Sequence, residues 1–159
     1  MIDLSTIDHT IFMKEALKEA IKAGKRGDRP IGAVIVHDSR IISRGSNCSK
    51  TRKSDVAHAE NTAIFKCQTY LQENGRECIV YSTVEPCVMC LSTAVLANIR
   101  SIVFGIEDKY LNMKAFVRSH PYISSRIHNY IPNILGIECI AVLQQYAPDD
   151  ARVILTGIR

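Results

Sequence analysis

The chain has 159 residues, 47% of them apolar, and a formal charge of +4, which suits one domain with its own core and no need of disulfide staples. Its longest apolar stretches, 84–99 and 131–143, are broken by Glu85, Asn98, Asn133 and Glu138 and fall short of the ~20 residues of a membrane span. The start, Met1-Ile2-Asp3-Leu4-Ser5, lacks a basic segment with an apolar run behind it, so no cleavable leader is expected and the protein is expected to be cytoplasmic.

Thr10 to Ala23 reads as an amphipathic helix, with Phe12, Leu17, Ala20 and Ile21 on one side, Lys14, Lys18 and Lys22 on the other, and Gly24 and Gly27 ending it. Ile31–His37 is an apolar, β-branched run that predicts a buried strand. Asp38-Ser39 then turns the chain and Arg40–Ser46 returns as its hairpin partner. A helix is expected from near Ala57 to Leu71, a third strand over Cys78–Ser82 and a helix opening at Pro86. Ser101–Gly105 reads as a fourth strand and Gly136–Val142 as a fifth, with Glu107–Ile134 between them part helix and part irregular. There is no internal repeat or linker. One domain over 1–159 is expected, with a five-stranded mixed sheet between two helical layers: a three-layer α/β (α-β-α) fold.

Chemistry concentrates at two short segments, His58-Ala59-Glu60 and Pro86-Cys87-Val88-Met89-Cys90. Their spacing is the H-x-E…P-C-x-x-C signature of zinc-dependent base deaminases. His58, Cys87 and Cys90 make three metal ligands, and a tetrahedral zinc with three protein ligands keeps its fourth position for water. A helix N-terminus biases both thiols toward the thiolate that binds metal. Glu60 is the carboxylate that can take a proton from water and return it to a leaving amine. Glu85 reads as a turn cap. A structural zinc would need a fourth ligand, for which Cys67 and Cys78 are the available thiols, although neither has ligand spacing. Cys48, Cys67, Cys78 and Cys139 read as small buried side chains, and His9, His37, His120 and His128 as ordinary surface or core histidines.

These segments resemble the cytidine deaminase-like superfamily, in the branch of tRNA adenosine deaminases, guanine deaminases and cytosine deaminases. The resemblance runs from about Phe12 to Phe104 and takes in Pro30–Val36, Arg44-Gly45-Ser46-Asn47 and Ile102–Gly105. It implies that His58, Cys87 and Cys90 bind Zn2+, that Glu60 shuttles protons, and that Asn47 and the backbone at Ala59 hold the base. Asp108, after Phe104-Gly105, is a further substrate-binding candidate. The implied reaction replaces an exocyclic amine with a carbonyl and releases ammonia.

For the substrate, the C-terminal stretch is the deciding feature of the sequence. Gln144–Arg159 sets Asp149 and Asp150 against Arg152 and Arg159, so its charge cancels, whereas folded RNA is bound largely by phosphate neutralisation. A free nucleobase or nucleoside is therefore the expected substrate, guanine-like purines ahead of cytosine. tRNA adenosine deamination is the alternative, and a non-catalytic zinc-stabilised nucleic-acid-binding module using Lys50, Arg52 and Lys53 a third reading. The apolar ending Val153–Ile158 is expected to pack over a pocket or a subunit interface, and a homodimer is expected from the resemblance.

Overall fold

The computed structural model describes residues 4–159, so the leader-free start read at Met1–Ser5 lies largely outside the described residues. Helix α1 (His9–Arg26) opens on Asp8, whose carboxylate accepts the Thr10 N–H at 3.0 Å. It runs through Gly24 and stops at Gly27, whose φ of 89° lets its N–H reach the carbonyls of Ala23 and Gly24. Gly24 does not end the helix; it makes room for Tyr146, because a Cβ there would come within 2.5 Å of that ring.

Strands β1 (Gly32–His37) and β2 (Arg40–Ser46) form the expected hairpin, turning through Asp38 and Ser39 at φ 47° and 59°. The short helix α2 (Ser49–Arg52) follows. The single helix expected from Ala57 to Leu71 is instead α3 (Ala59–Lys66) and α4 (Gln68–Asn74), broken at Cys67. Then come β3 (Ile79–Val84), α5 (Val88–Leu96) and β4 (Ser101–Ile106). Pro86 stands just ahead of α5 rather than in its first turn, because Cys87 is the cap.

Helices α6 (Met113–Ser119) and α7 (Pro121–Ser124) lead to β5 (Asn129–Ile131). The fifth strand is therefore not Gly136–Val142, which lies in helix α8 (Gly136–Tyr146). The β-branched residues there suggest a strand, but Cys139 and Leu143, four apart, bury one helical face while Ile137 stays 82% exposed. Helix α9 (Pro148–Thr156) completes the described fold.

The sheet order is β2-β1-β3-β4-β5, with β1 antiparallel to both neighbours and β3, β4 and β5 parallel. One face carries α1, α8 and α9 over Val34, Val36, Tyr81 and Val103; the other carries α3 and α5 over Ile35, Val80, Ile102 and Phe104. This is the expected three-layer α/β architecture. Among the described residues no helix is long and apolar enough to cross a membrane.

Parallel strands direct the first turns of α3 and α5 to one edge of the sheet, where open α/β sheets build their sites. A glycine sets how closely α3 approaches. A Cβ on Gly45 would lie 2.0 Å from the Ala59 carbonyl oxygen, so β2 meets the first turn of α3 backbone to backbone. Gly45→Ala is expected to cost about 3 kcal/mol as an overpacked core does, and to loosen the turn that carries His58 and Glu60. Chemical denaturation together with metal content per chain checks both effects.

Candidate active site

His58 is the N-cap of α3, in extended backbone at φ −73° and ψ 158°, and Cys87 is the N-cap of α5 at φ −65° and ψ 171°. Capping positions project side chains past the helix end instead of along a face. Two caps brought to one sheet edge therefore point their donors at each other. His58 Nδ1 lies 3.5 Å from both the Cys87 and Cys90 sulfurs, and the three donor atoms fall within 4.8 Å of one another.

Those separations fit a metal. Zn–S bonds of about 2.3 Å and Zn–N bonds of about 2.1 Å at tetrahedral angles place nitrogen and sulfur about 3.6 Å apart. No fourth histidine, cysteine, aspartate or glutamate joins the group among the described residues. Cys67 lies elsewhere, its thiol donating to the Ala63 carbonyl, and Cys78 is buried in the core away from the trio. The four-ligand structural site considered from the sequence is therefore not what these residues build.

Without metal the two thiols share their protons unequally. A hydrogen bond from Cys90 outweighs burial and holds the Cys87 thiol at about 4, with His58 adding to the effect. The bond to Cys87, and then burial, push Cys90 up. His58 is raised, first by its bond to Cys87, against its own burial. One thiolate facing an imidazole is a donor set primed for a soft or borderline divalent cation.

Glu60 is 4% exposed yet lines the same cavity as His58 and Cys87. Burial raises its carboxyl above the ordinary range, while Ser82 Oγ donates to Oε1 at 3.0 Å and fixes its orientation. Ser82 went unread in the sequence, although a hydroxyl inside the apolar strand Ile79–Val84 was the signal available.

Asn47 also lines the cavity. Its Oδ1 accepts from both the N–H (3.1 Å) and the hydroxyl (2.9 Å) of Ser49, which leaves the amide N–H₂ to donate into the cavity. Its backbone is held just as firmly: Arg26 donates to the Asn47 carbonyl at 2.5 Å. Arg26 is in turn paired with Asp28 at 2.6 Å, and the buried Asp28 carboxylate accepts the Lys50 and Thr51 N–H groups, each at 2.9 Å. This chain of contacts spans residues 26 to 51, a reach that pattern reading does not cover.

Asp108 lines the cavity, but its Oδ1 is committed to the N–H groups of Tyr110 and Leu111. Burial raises its carboxyl. Glu85 is not a turn cap. Its two oxygens take the Tyr130 hydroxyl at 2.7 Å and the Asp108 N–H at 2.9 Å, tying β5 and the loop after β4 to the site. Ala59 does not line the cavity, and Cys90 is wholly buried behind it.

The cavity holds about 260 Å³. Val153 and Ile154 of α9 form part of its wall, so the apolar C-terminal segment packs over a pocket, one of its two expected placements. The Lys109 N–H donates to the Ile154 carbonyl at 2.9 Å and holds α9 there.

Residues 6–106 match the family model for the cytidine and deoxycytidylate deaminase zinc-binding region. The chain belongs to that family, and its resident metal is Zn2+. A tRNA-specific adenosine deaminase of Bacillus subtilis is 40% identical over 99 residues, which are 62% of this chain and 62% of that one. The matched part thus spans less than two thirds of the relative's length. A structure solved in a study of A-to-I editing by tRNA:A34 deaminases at the wobble position of transfer RNA superposes with a TM-score of 0.72 at 33% identity, covering 85% of this chain and all of the other. The guanine deaminase structure from Bacillus subtilis gives 0.58 at 34% identity, covering 71% of each chain.

These likenesses overturn the expectation of a free nucleobase or nucleoside substrate, including the guanine-like preference. Curated relatives near 40% identity are tRNA-specific adenosine deaminases, and the likeness to a tRNA:A34 deaminase structure exceeds that to the guanine deaminase in both TM-score and coverage. The neutral tail misled for a physical reason: α9 is used as cavity wall, and its Asp150 is paired with Arg29. Exposed Lys50, Arg52 and Lys53, in contrast, have no acidic partner among the described residues. Phosphate-binding charge does not have to sit in the tail.

Asp28→Asn tests the support beneath Asn47. Burial raises the Asp28 carboxyl, but hydrogen bonds from Thr51 and Arg26 outweigh it and lower it to about 2. A depressed pKa stabilises the fold above the unfolded value near 3.8, and that stability disappears as pH falls toward 2. The variant is therefore expected to be about 2 kcal/mol less stable at pH 7. The difference should shrink between pH 4 and pH 2, as urea unfolding at several pH values would show.

Proposed function

We propose that this chain is a zinc-dependent hydrolytic deaminase that converts an adenosine in tRNA to inosine. The observation that carries the chemistry is the His58/Cys87/Cys90 trio at tetrahedral separations beside a buried, pKa-raised Glu60 in one cavity. Support for the substrate comes from the relatives that act on tRNA.

His58, Cys87 and Cys90 would hold the ion, and none of the described carboxylates belongs to that group. When bound, zinc acts as a Lewis acid that makes hydroxide available from water at neutral pH. Glu60, raised by burial, takes the proton of the attacking water and delivers it to the departing amine. A carboxyl shifted toward neutrality is suited to both transfers. Ser82 keeps that carboxyl aimed at the cavity. Asn47 donates to an acceptor on the ring and sets which carbon faces Glu60, while Asp108 shapes the wall beside it.

The cavity volume bears on how RNA is presented. A space of about 260 Å³ is close to the lower end of small-molecule sites, ~300 Å³, and takes one base with part of its sugar. One nucleotide would leave its stack and enter while the rest of the RNA stays outside. A homodimer in the cytoplasm is part of the same proposal.

Glu60→Gln is expected to keep one zinc per chain and to lose ~10²–10⁴-fold in turnover of a tRNA anticodon hairpin, the range of general acid–base catalysis. Cys87→Ser and His58→Ala should instead lose the metal itself. Ammonia release and elemental analysis separate the two effects; near-normal turnover by Glu60→Gln would remove that residue from its role.

A further inference from the structure

Arg29 lies at the mouth of the cavity that contains His58, Glu60 and Asn47, and none of the proposed chemistry uses it. Its Nε is 3.1 Å from Asp150 Oδ2, the side chains being 50% and 37% exposed. An exposed pair of this kind contributes little to stability and yields readily to a competing anion. The contact runs through Nε, and Asp150 is the one acidic partner of Arg29 among the described residues. A half-exposed planar guanidinium matches the geometry of a phosphate.

The surroundings support an anion on this side. Arg29 directly follows Asp28, whose carboxylate holds the Lys50 and Thr51 backbone. The segment carrying exposed Lys50 and Lys53, which have no acidic partner among the described residues, is thereby tied next to Arg29, whereas Arg52 lines a separate groove with Asn61 and Phe65. A cation in the cavity wall, with further exposed cations on the segment tied beside it, suits a base inside and its phosphodiester chain outside.

We infer that Arg29 holds a phosphate adjacent to the nucleotide being deaminated, and that Asp150 is its built-in competitor, occupying the guanidinium until the substrate arrives. This rests on the RNA reading above. It makes Arg29 a substrate-binding residue, remote from the bond changes, so its loss should appear in KM and leave kcat nearly intact.

The test compares wild type, Arg29→Met, Arg29→Lys and Asp150→Asn, all zinc-loaded, on an adenosine-containing anticodon hairpin across a salt series. Arg29→Met is expected to raise KM about tenfold with kcat within about twofold. It should also flatten the dependence of log affinity on log salt by about 0.7, the value for one single-strand phosphate contact. Arg29→Lys should restore the salt slope and part of the affinity. Asp150→Asn should move KM the opposite way, down by about two- to fivefold.

Opposite signs are what a merely structural ion pair would not give. If Arg29→Met and Asp150→Asn both weaken binding, the pair only props α9 and the inference is overturned. An unchanged salt slope in Arg29→Met overturns it as well, while hairpin turnover by the wild type leaves the RNA reading standing. Failure of the wild type to bind or deaminate the hairpin removes both. Competition by adenosine and by its 5′-monophosphate identifies the source of the phosphate. A preference for the monophosphate that vanishes in Arg29→Met places it on the target nucleotide, and equal competition places it on the neighbouring link.

Discussion

Two sulfurs from one helix and an imidazole nitrogen from another meet at 3.5 Å, and the rest of the site depends on that meeting. Neither helix supplies a complete ligand set. The sheet makes the meeting possible, because β2 and β3 both run antiparallel to β1 and so deliver α3 and α5 to the same edge. Backbone contact between Gly45 and Ala59 brings α3 close enough. With three donors converging and no fourth among the described residues, His58, Cys87 and Cys90 would hold a zinc that remains open to solvent. Glu60, two residues from His58, occupies the adjoining space.

Electrostatics divides the carboxylates by task. Glu60, Glu85 and Asp108 are all buried and all raised, yet their partners differ. Glu85 is spent on Tyr130 and the Asp108 N–H, and one oxygen of Asp108 on its own turn, so both shape the cavity wall. Glu60 has a single hydroxyl donor and faces the cavity, which leaves it able to change protonation. Asp28 is the contrasting case: enough donors surround it to keep it ionised, and it serves as an anchor for the loop that carries Asn47.

Much of this was legible in the chain itself. The hairpin at Asp38-Ser39, the ligand trio and Glu60 follow from local patterns, where turn chemistry and ligand spacing act over a few residues. The errors came where longer-range packing decides. Gly136–Val142 has strand-like composition, but the face bearing Cys139 and Leu143 is buried against β4 and α1, and that burial selects a helix. Cys67 breaks an otherwise continuous helical pattern, and nothing in its immediate neighbours announces the break. The Arg26–Asp28–Asn47 network and the Arg29–Asp150 pair join residues about 20 and about 120 positions apart, beyond the range of any periodicity. The substrate was misjudged for a related reason, since net charge over the tail says nothing about which cations are already paired.

Zinc K-edge X-ray absorption of the loaded protein examines the central claim most directly. The geometry predicts two sulfur scatterers near 2.3 Å, one imidazole nitrogen near 2.0–2.1 Å and one further light atom that is not a histidine. A shell of three or four sulfurs, or a second imidazole, would show a closed structural site and contradict the account.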